Sequence, residues 1–343
     1  MLKLTYHPHT SVFKEPSGTS RGVLLSKESW IVNIWDDANP ECTGVGEISL
    51  IPGLSIEHPE EVMQALLQLE KTIDQPDILD TVIHLPAVRF GIETALIDLE
   101  NGGKQQLFPT DFTHGKKPIP INGLIWMGSY DEMRRRITEK IELGYTCIKI
   151  KIGAIDFEKE LELIRMIRSE FGPRDIEIRL DANGAFSAAG ALSKLEKLAV
   201  HSIHSVEQPI KPNQWTDMAH ICASHIIPIA LDEELIGIHH RRERKNMLNE
   251  IKPQYIVLKP SLLGGFESCD EWIELAQASG IGWWATSALE TNIGLNAIAQ
   301  WVSTKEIHMP QGLGTGQLFT NNFLSNLEIK RGELWTTSHS LAG

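Results

Sequence analysis

The stretch Ile176–Phe186, Ile-Glu-Ile-Arg-Leu-Asp-Ala-Asn-Gly-Ala-Phe, has the pattern of a buried strand that ends in a polar turn. Its apolar residues alternate with charged ones, the last being Asp181, at the two-residue period of a strand. Two further apolar runs, each about 25 residues after the one before, end in Glu207 and Asp232. If these strands are neighbours in a parallel barrel, the three carboxylates meet at its C-terminal mouth.

Composition limits the classes of protein that this chain can be. Its 343 residues suffice for a barrel of about 250 residues with an additional module. The net charge of −13 argues against binding nucleic acid through phosphate neutralisation. No apolar run is long enough to span a membrane, and the first residues lack the apolar segment of a signal peptide. The four cysteines are scattered, which predicts free thiols in a cytoplasmic protein.

Residues 1–85 differ in pattern from the rest of the chain. Strand-like runs separated by Gly- and Pro-rich turns are followed by a helical pattern over Pro59–Thr72, which indicates an α+β module. Ser17–Gly22 and Leu50–Ser55 are rich in Gly, Pro and Ser, and we hypothesise that they are lid segments. The last residues, Leu327–Trp335, are predicted to form a strand and turn outside the barrel that return to this module.

From Pro86 onward, a helical pattern over Ala87–Glu100 is followed by strand-like runs that alternate with helical ones. Alternation at this spacing predicts parallel βαβ units, and seven or eight units favour a closed barrel. No GxGxxG motif follows the first strand, which argues against a dinucleotide-binding fold. The predicted strands are Ile119–Ile125, Cys147–Ile152, Ile176–Leu180, Ile203–Glu207, Ile226–Asp232, Tyr255–Lys259, Gly282–Ser287 and a weak one near His308–Leu313.

Charged residues at the ends of these strands form a candidate active site. Three carboxylates with no Cys or nearby His suit a hard cation, Mg²⁺ before Mn²⁺. Lys149 and Lys151 share one face of the second strand, and Lys259 ends the sixth. A lysine beside a second cation and a metal can act as the base that removes a proton alpha to a carboxylate, with the metal stabilising the enediolate.

The motifs in this order resemble the enolase superfamily, muconate-lactonizing subgroup. They are Lys-x-Lys at 149–151, Asp-x-Asn-Gly at 181–184, Glu-Gln-Pro at 207–209, Asp-Glu at 232–233 and Lys-Pro at 259–260. The resemblance implies an α/β fold, a modified TIM barrel of the (β/α)7β type, with an α+β capping domain. It further implies that residues 1–85 and 318–343 form the capping domain and residues 86–317 the barrel.

The same resemblance assigns roles to the charged residues. It implies that Asp181, Glu207 and Asp232 are the metal ligands. Lys151 is then the acid and base on one face of the substrate, and Lys259 is the lysine on the other. Lys149 is the neighbour that tunes Lys151.

Within the subgroup, the chain is most similar to the o-succinylbenzoate synthases of menaquinone biosynthesis. The similarity lies in Lys259–Gly265, Thr286–Glu290, Gly312–Gly316 and Arg179. It implies a Mg²⁺-dependent hydro-lyase acting on a small-molecule carboxylate, with Arg179, Ser287 and Gly312 binding the substrate. Lys151 would remove the alpha proton and then protonate the departing hydroxyl. Lys259 would stabilise the intermediate by its charge alone.

Three other functions remain open at this level. A dipeptide epimerase or N-acylamino acid racemase would use both lysines as bases. Dipeptide epimerases of this family commonly have Asp-x-Asp after the last strand, and Gly312–Gly316 contains no acid, which counts against dipeptides but not against N-acylamino acids. Cycloisomerisation of muconates is a weaker option, and a non-catalytic metal-binding barrel is the weakest.

Overall fold

The structure is a computed structural model that describes residues 1–19 and 22–337. The chain begins with a three-stranded antiparallel sheet in the order β1-β2-β3, whose strands are β1 (Leu2–Thr19), β2 (Gly22–Asp36) and β3 (Asn39–Ser49). Helix α1 (Pro59–Thr72) follows, and its buried residues belong to the same apolar cluster as those of β2 and β3. The sheet and helix form the predicted α+β module.

The second sheet contains seven parallel strands in sequential order and curls into a barrel. Each strand pairs with the one that follows it along the chain, as the βαβ alternation predicts. The strands are β5 (Gly123–Ile125), β6 (Cys147–Lys151), β7 (Glu177–Asp181), β8 (Ser205–Glu207), β9 (Ile229–Leu231), β10 (Tyr255–Leu258) and β11 (Gly282–Ala285).

Helices connect these strands, and one helix leads into the barrel. Two of them begin at a serine cap: Ser129 accepts a hydrogen bond from Glu132 N in a capping box, and Ser187 accepts one from Gly190 N. The helices are α2 (Pro86–Glu100), α3 (Tyr130–Glu142), α4 (Phe157–Glu170), α5 (Ala188–Ala199), α6 (Trp215–Ala223), α7 (Arg241–Ile251), α8 (Pro260–Leu263), α9 (Gly265–Ala278) and α10 (Asn292–Ser303).

The barrel closes without a regular eighth strand, which corrects the prediction near His308–Leu313. Only two single bridges, Ile121 with Gln311 and Thr286 with Gly312, join the chain there to the first and last strands. The first predicted strand is also divided, because β4 (Ile119–Pro120) belongs to a different sheet.

That third sheet has the order β12-β13-β4 and contains the C-terminal strands β12 (Leu327–Lys330) and β13 (Glu333–Thr336). The strand and turn predicted at Leu327–Trp335 therefore exist, but they pair with β4 and not with the N-terminal sheet. The segment before them does reach that sheet: Phe319 forms a bridge with Phe13, and Asn321 Oδ1 accepts a hydrogen bond from Val12 N. Residues 338–343 lie outside the described part of the chain.

A buried polar contact joins the N-terminal sheet to the barrel. Glu47 on β3 is fully buried and accepts hydrogen bonds from Thr291 N and Gly294 N at the start of α10. Lys27 on β2 donates to Ser49 Oγ and, at 2.7 Å, to Leu289 O in the turn after β11. The N-terminal sheet thus fixes the backbone of a barrel loop.

Candidate active site

Three buried carboxylates lie at the C-terminal ends of neighbouring barrel strands. Asp181 ends β7, Glu207 ends β8, and Asp232 directly follows β9. Asp181 and Glu207 are partners in the strand register, so they lie side by side. Each of the three side chains is at most 2% exposed. The sequence therefore predicted correctly that these residues converge.

The three lysines point into the barrel and pair with these carboxylates. Lys149 Nζ lies 3.1 Å from Asp181 Oδ2 and 2.6 Å from Glu207 Oε2. Lys151 Nζ donates to Asp181 Oδ2 at 2.9 Å. Lys259, four strands along from β6, donates to Asp232 Oδ2. The lysines on β6 and after β10 thus occupy opposite sides of the mouth.

Burial and mutual proximity shift the pKa values of these groups. Burial opposes the charged form of Asp181, but Lys149 and Lys151 outweigh it and hold its pKa well below the usual range. Burial, with Asp181 as a second cause, raises the pKa of Glu207 to about 8. Burial also opposes the charged form of Lys259, but Asp232 raises its pKa overall, so this side chain remains an ammonium.

The carboxylates fit a hard dication by donor type. Burial, with the neighbouring Asp181 as a second cause, raises the pKa of Glu207, and a dication would favour its ionised form. As they stand, no three His, Cys, Asp or Glu side chains in residues 1–19 and 22–337 are arranged to hold one ion. Lys149 lies between Asp181 and Glu207, so a metal at this position requires its ammonium group to withdraw.

The mouth opens into a cavity of about 320 Å³, the size of a small-molecule site. Lysines 149, 151 and 259 line its charged side, and Thr286 and Thr315 belong to a neutral polar wall. The apolar residues that line the cavity are Leu24, Ile51, Leu54, Trp126, Leu289 and Leu318.

Both hypothesised lid segments contribute residues to this cavity. Gly22 lines it from Ser17–Gly22, and Ile51, Pro52 and Leu54 line it from Leu50–Ser55. Ser20 and Arg21 of the first segment lie outside the described residues. Described residues of both segments therefore line the same cavity as the lysines, which is the position that a lid over the candidate active site requires.

Arg179 lies inside the barrel, but it is absent from the cavity wall. Its guanidinium donates to Glu177 Oε1 at 2.7 Å and to Pro310 O at 2.8 Å. The guanidinium also stacks on Trp284, 4.4 Å from the ring centroid. These contacts make Arg179 a positioning residue below the mouth, and the predicted contact with substrate stays a prediction.

Ser287 and Gly312 do line the cavity, but several of their polar groups are already paired. Ser287 Oγ donates to Glu290 Oε2 at 2.6 Å and accepts from Thr315 Oγ1 at 2.8 Å. Ser287 N donates to Gly312 O, and Gly312 N donates to Ala285 O. If they contact the substrate, as predicted, they do so mainly by shaping the cavity wall, because these polar groups already have partners in the protein.

Two residues of the site were not assigned from sequence. Asn183 Oδ1 accepts a hydrogen bond from Lys151 Nζ at 2.7 Å, and the Trp126 ring lies 5.8 Å from the same nitrogen. Asn183 belongs to the quoted Asp-x-Asn-Gly motif, so the motif held the signal. Trp126 directly follows β5, and its place at the end of a barrel strand was the available clue.

Comparisons with known proteins agree with this fold. Residues 132–338 match the model of the family described as enolase C-terminal domain-like. An o-succinylbenzoate synthase of Desulfotalea psychrophila is 48% identical over 97% of this chain and 98% of that protein. A crystal structure of MenC from the same organism has a TM-score of 0.81 at 44% identity, covering 98% and 99% of the two chains.

Two more distant relatives bear on the metal and on the alternative activity. The o-succinylbenzoate synthase of Thermosynechococcus elongatus, solved with Mg in its active site, has a TM-score of 0.75 at 26% identity, covering 90% and 92% of the chains. A hydrophobic dipeptide epimerase of Enterococcus faecalis is 26% identical over 85% of this chain and 84% of that protein.

The fold, the strand-end carboxylates and the family match define the class of enolase-superfamily enzymes. Within this class, the 48% identity to the Desulfotalea psychrophila synthase over nearly the whole length exceeds the 26% identity to the Enterococcus faecalis dipeptide epimerase. The chain belongs to the o-succinylbenzoate synthase family. In the described part of the chain, no helix combines the length and apolar character needed to cross a membrane.

Proposed function

We propose that this chain is a Mg²⁺-dependent o-succinylbenzoate synthase, a hydro-lyase. It converts 2-succinyl-6-hydroxy-2,4-cyclohexadiene-1-carboxylate to o-succinylbenzoate and water by syn dehydration. The observation that carries the proposal is the pair of lysines facing each other across three carboxylates. This arrangement occurs in a chain that is 48% identical to an o-succinylbenzoate synthase.

Lys151 performs both proton transfers in this reaction. As a neutral amine it takes the proton alpha to the ring carboxylate, and the electrons of the broken C–H bond form an enediolate. The same nitrogen then returns the proton to the hydroxyl group on the same face as its C–O bond breaks, so water leaves and the ring becomes aromatic. Asn183 and Asp181 hold Lys151 Nζ in place through hydrogen bonds of 2.7 and 2.9 Å.

Lys259 and Lys149 supply positive charge in this proposal. Asp232 keeps Lys259 protonated, so it stabilises negative charge on the substrate without transferring a proton. The pKa of Lys149 is raised by Asp181 and Glu207 despite the opposing effect of burial, so Lys149 also stays an ammonium. Lys149 is also the neighbour to which the resemblance assigns the tuning of Lys151.

Asp181, Glu207 and Asp232 would hold the Mg²⁺, with Mn²⁺ as a substitute. What the bound dication supplies is stabilisation of the negative charge that develops on the substrate carboxylate. The three ligand side chains come from consecutive strands, so a rigid sheet fixes their spacing.

Charge balance favours a substrate with two carboxylates over a dipeptide. With Lys151 as the neutral base, Lys149 and Lys259 offset two of the three carboxylates, so a dication leaves the site with one positive charge. The carboxylates that line the cavity are all paired: Glu15 with Arg136, Glu139 with Arg135, and Asp181 with the lysines. No cavity-lining carboxylate in the described residues is therefore left to receive an α-ammonium group.

We also propose that residues 1–85 form the cap and residues 86–317 the barrel; of the segment 318–343, the part around Phe319 returns to the cap, whereas β12 and β13 pair with β4. The bridge between Phe13 and Phe319 supports the return of this part of the C-terminal segment to the cap.

A cytoplasmic location is proposed because all four cysteines are free thiols, as in a reducing compartment.

The test is an assay of purified protein with Mg²⁺ and the cyclohexadiene substrate, following the loss of its ultraviolet absorbance. EDTA should abolish the reaction. The Lys151→Ala variant should lose about 10²–10⁴ of the rate and should retain Mg²⁺ affinity in calorimetry, whereas Asp181→Ala should lose that affinity.

A parallel incubation in D₂O with N-acylamino acids and dipeptides tests the alternative. Rapid deuterium incorporation at an α-carbon without any dehydration would move the function to the epimerase class. Loss of Mg²⁺ affinity in Lys151→Ala as large as in Asp181→Ala would contradict the assigned role of Lys151.

A further inference from the structure

Glu290 is a buried carboxylate beside the cavity that the proposed mechanism does not use. It lies in the turn between β11 and α10, and its side chain is fully buried. It is not among the described residues that line the cavity, so a ligand there does not touch it. A carboxylate in the protein interior costs free energy unless hydrogen bonds compensate for the lost water. The partners of Glu290 therefore indicate what it does.

One carboxylate oxygen of Glu290 holds the start of helix α8. Glu290 Oε1 accepts a hydrogen bond from Ser261 Oγ, and Ser261 is also fully buried. Helix α8 begins directly after Lys259, whose carbonyl oxygen accepts from Leu262 N at 2.8 Å and from Leu263 N at 3.0 Å. Because Lys259 and Ser261 belong to one hydrogen-bonded turn, the position of Ser261 constrains the backbone of Lys259.

The other carboxylate oxygen holds part of the cavity wall. Glu290 Oε2 accepts from Ser287 Oγ at 2.6 Å and from Ala288 N at 2.8 Å. Ser287 Oγ in turn accepts from Leu289 N at 3.0 Å. These three residues, the 287–289 turn, all line the cavity. The two oxygens of one carboxylate thus connect the turn that begins at Lys259 with the 287–289 turn.

The backbone does not supply this connection by itself. Strands β10 and β11 are joined by their ladder, which continues as far as the bond from Thr286 N to Leu258 O at 2.8 Å. Beyond it, the described segments 259–263 and 287–291 share no backbone hydrogen bond. Glu290 therefore provides the hydrogen-bonded link between two segments that both reach the candidate active site.

We propose that Glu290 is a positioning residue that fixes Lys259 relative to the 287–289 turn. This inference rests on the proposed function, in which the Lys259 ammonium group stabilises negative charge on the substrate. A fixed charge stabilises a transition state only when it is held in the correct place. The bond to Ser261 therefore acts on the rate of the chemical step, whereas the bonds to Ser287 and Ala288 act on ligand binding.

The experiment measures kcat for dehydration of the cyclohexadiene substrate and the dissociation constant of o-succinylbenzoate, the latter by calorimetry with Mg²⁺ present. Ser261→Ala removes only the link to Lys259, so kcat should fall about tenfold while the dissociation constant stays within about twofold of the wild type. Glu290→Ala removes both links, so kcat should fall at least as far and o-succinylbenzoate should bind about tenfold more weakly.

The conservative variant Glu290→Gln keeps both links. Its amide oxygen can accept from Ser287 Oγ and Ala288 N, and its amide N–H group can donate to Ser261 Oγ, because a hydroxyl group also accepts hydrogen bonds. This variant should therefore keep kcat and the dissociation constant within about threefold of the wild type.

The matched control is Asp98→Ala. Asp98 is also fully buried, and its carboxylate accepts two backbone hydrogen bonds, from Val45 N at 2.9 Å and from Gln105 N at 2.6 Å. It is not among the described residues that line the cavity. Asp98→Ala should lower the melting temperature, as Glu290→Ala should, but keep kcat and the dissociation constant of the wild type.

A Glu290→Ala protein that melts at a lower temperature but keeps the wild-type kcat and dissociation constant would overturn the inference, since its role would be structural alone. Glu290→Gln as impaired as Glu290→Ala, or Asp98→Ala with the same kinetic losses, would also overturn it. Should Glu290→Ala not fold, an unchanged kcat in Ser261→Ala refutes the link to Lys259. These outcomes leave the synthase assignment intact, whereas a wild type that neither dehydrates the substrate nor binds o-succinylbenzoate refutes the proposed function and this inference together.

Discussion

Replacement of Glu47 by alanine should weaken the attachment of the N-terminal sheet to the barrel. The buried carboxylate accepts four hydrogen bonds: from Ser29 Oγ at 3.0 Å, Thr291 N at 3.0 Å, Thr291 Oγ1 at 2.6 Å and Gly294 N at 3.0 Å. The two hydroxyls can rotate to other partners, but the two backbone N–H groups remain buried. At about 2 kcal/mol for each unsatisfied donor, the loss is about 4 kcal/mol.

This loss converts to a measurable change in melting temperature. With an unfolding entropy of about 2.1 cal/mol/K per residue, 343 residues give about 0.7 kcal/mol/K. Glu47→Ala should therefore melt about 6 °C below the wild type, as followed by circular dichroism. Glu47→Gln keeps one acceptor oxygen and should lose about half as much.

The matched control is Glu41→Ala, because Glu41 lies on the same strand and is exposed. Its melting temperature should stay within about 1 °C of the wild type. A Glu47→Ala protein that melts within the same interval would refute the reasoning, since it would mean that the buried N–H groups find other partners at no cost.

Two further substitutions test other parts of the structure. Burial raises the pKa of the Glu57 carboxyl group to about 7, so the folded protein is more stable when this group is protonated. This stabilisation is complete below about pH 4.5 and is lost as the pH rises through 7. Glu57→Gln should therefore melt about 4 °C higher than the wild type at pH 8 and about equally at pH 5, whereas the exposed Glu60→Gln should change neither value. Arg179→Lys should lower the melting temperature but leave the dissociation constant of o-succinylbenzoate within about threefold, and a tenfold weaker affinity would indicate direct contact with the ligand.

The strand order and the three carboxylates could be predicted because they depend on short-range patterns. A period of two residues identifies strands, and a parallel barrel brings successive strand ends together without further information. Asp181, Glu207 and Asp232 each follow an apolar run, so the topology alone placed them at one mouth. Lys149 and Lys151 alternate with isoleucines, so their place on one face of the strand could also be predicted.

Strand β1 has an irregular sequence pattern that does not identify it as a strand. Pro8 and Pro16 interrupt the alternation, and proline normally argues against a central strand. β1 is an edge strand that pairs only with β2 in its sheet, so proline is tolerated there. The weak eighth strand near His308–Leu313 was predicted to be longer than it is. Two single bridges close the barrel there, and no local sequence pattern distinguishes them from a short strand.

The partners of individual side chains could not be predicted, because they come from distant parts of the sequence. Arg179 pairs with Pro310 O, 131 positions away, and Lys27 pairs with Leu289 O, 262 positions away. Ser287 has a suitable residue type for binding a carboxylate, yet Glu290 and Thr315 already engage its hydroxyl. Residue type and position on a strand identify a candidate, but availability depends on the whole fold.

The contact between Lys27 and the turn after β11 limits how this enzyme can be redesigned. Leu289, whose side chain lines the cavity, has a positive φ of 62°, and the ammonium group of Lys27 holds its carbonyl. A segment 286–291 grafted from a relative would lose this support unless positions 27, 47 and 49 were transplanted with it. Substrate selectivity at this part of the cavity therefore depends on residues of both the N-terminal sheet and the barrel loop. A mutant library that varies only the barrel loop would contain sequences whose loop backbone lacks its hydrogen-bond partner on the sheet.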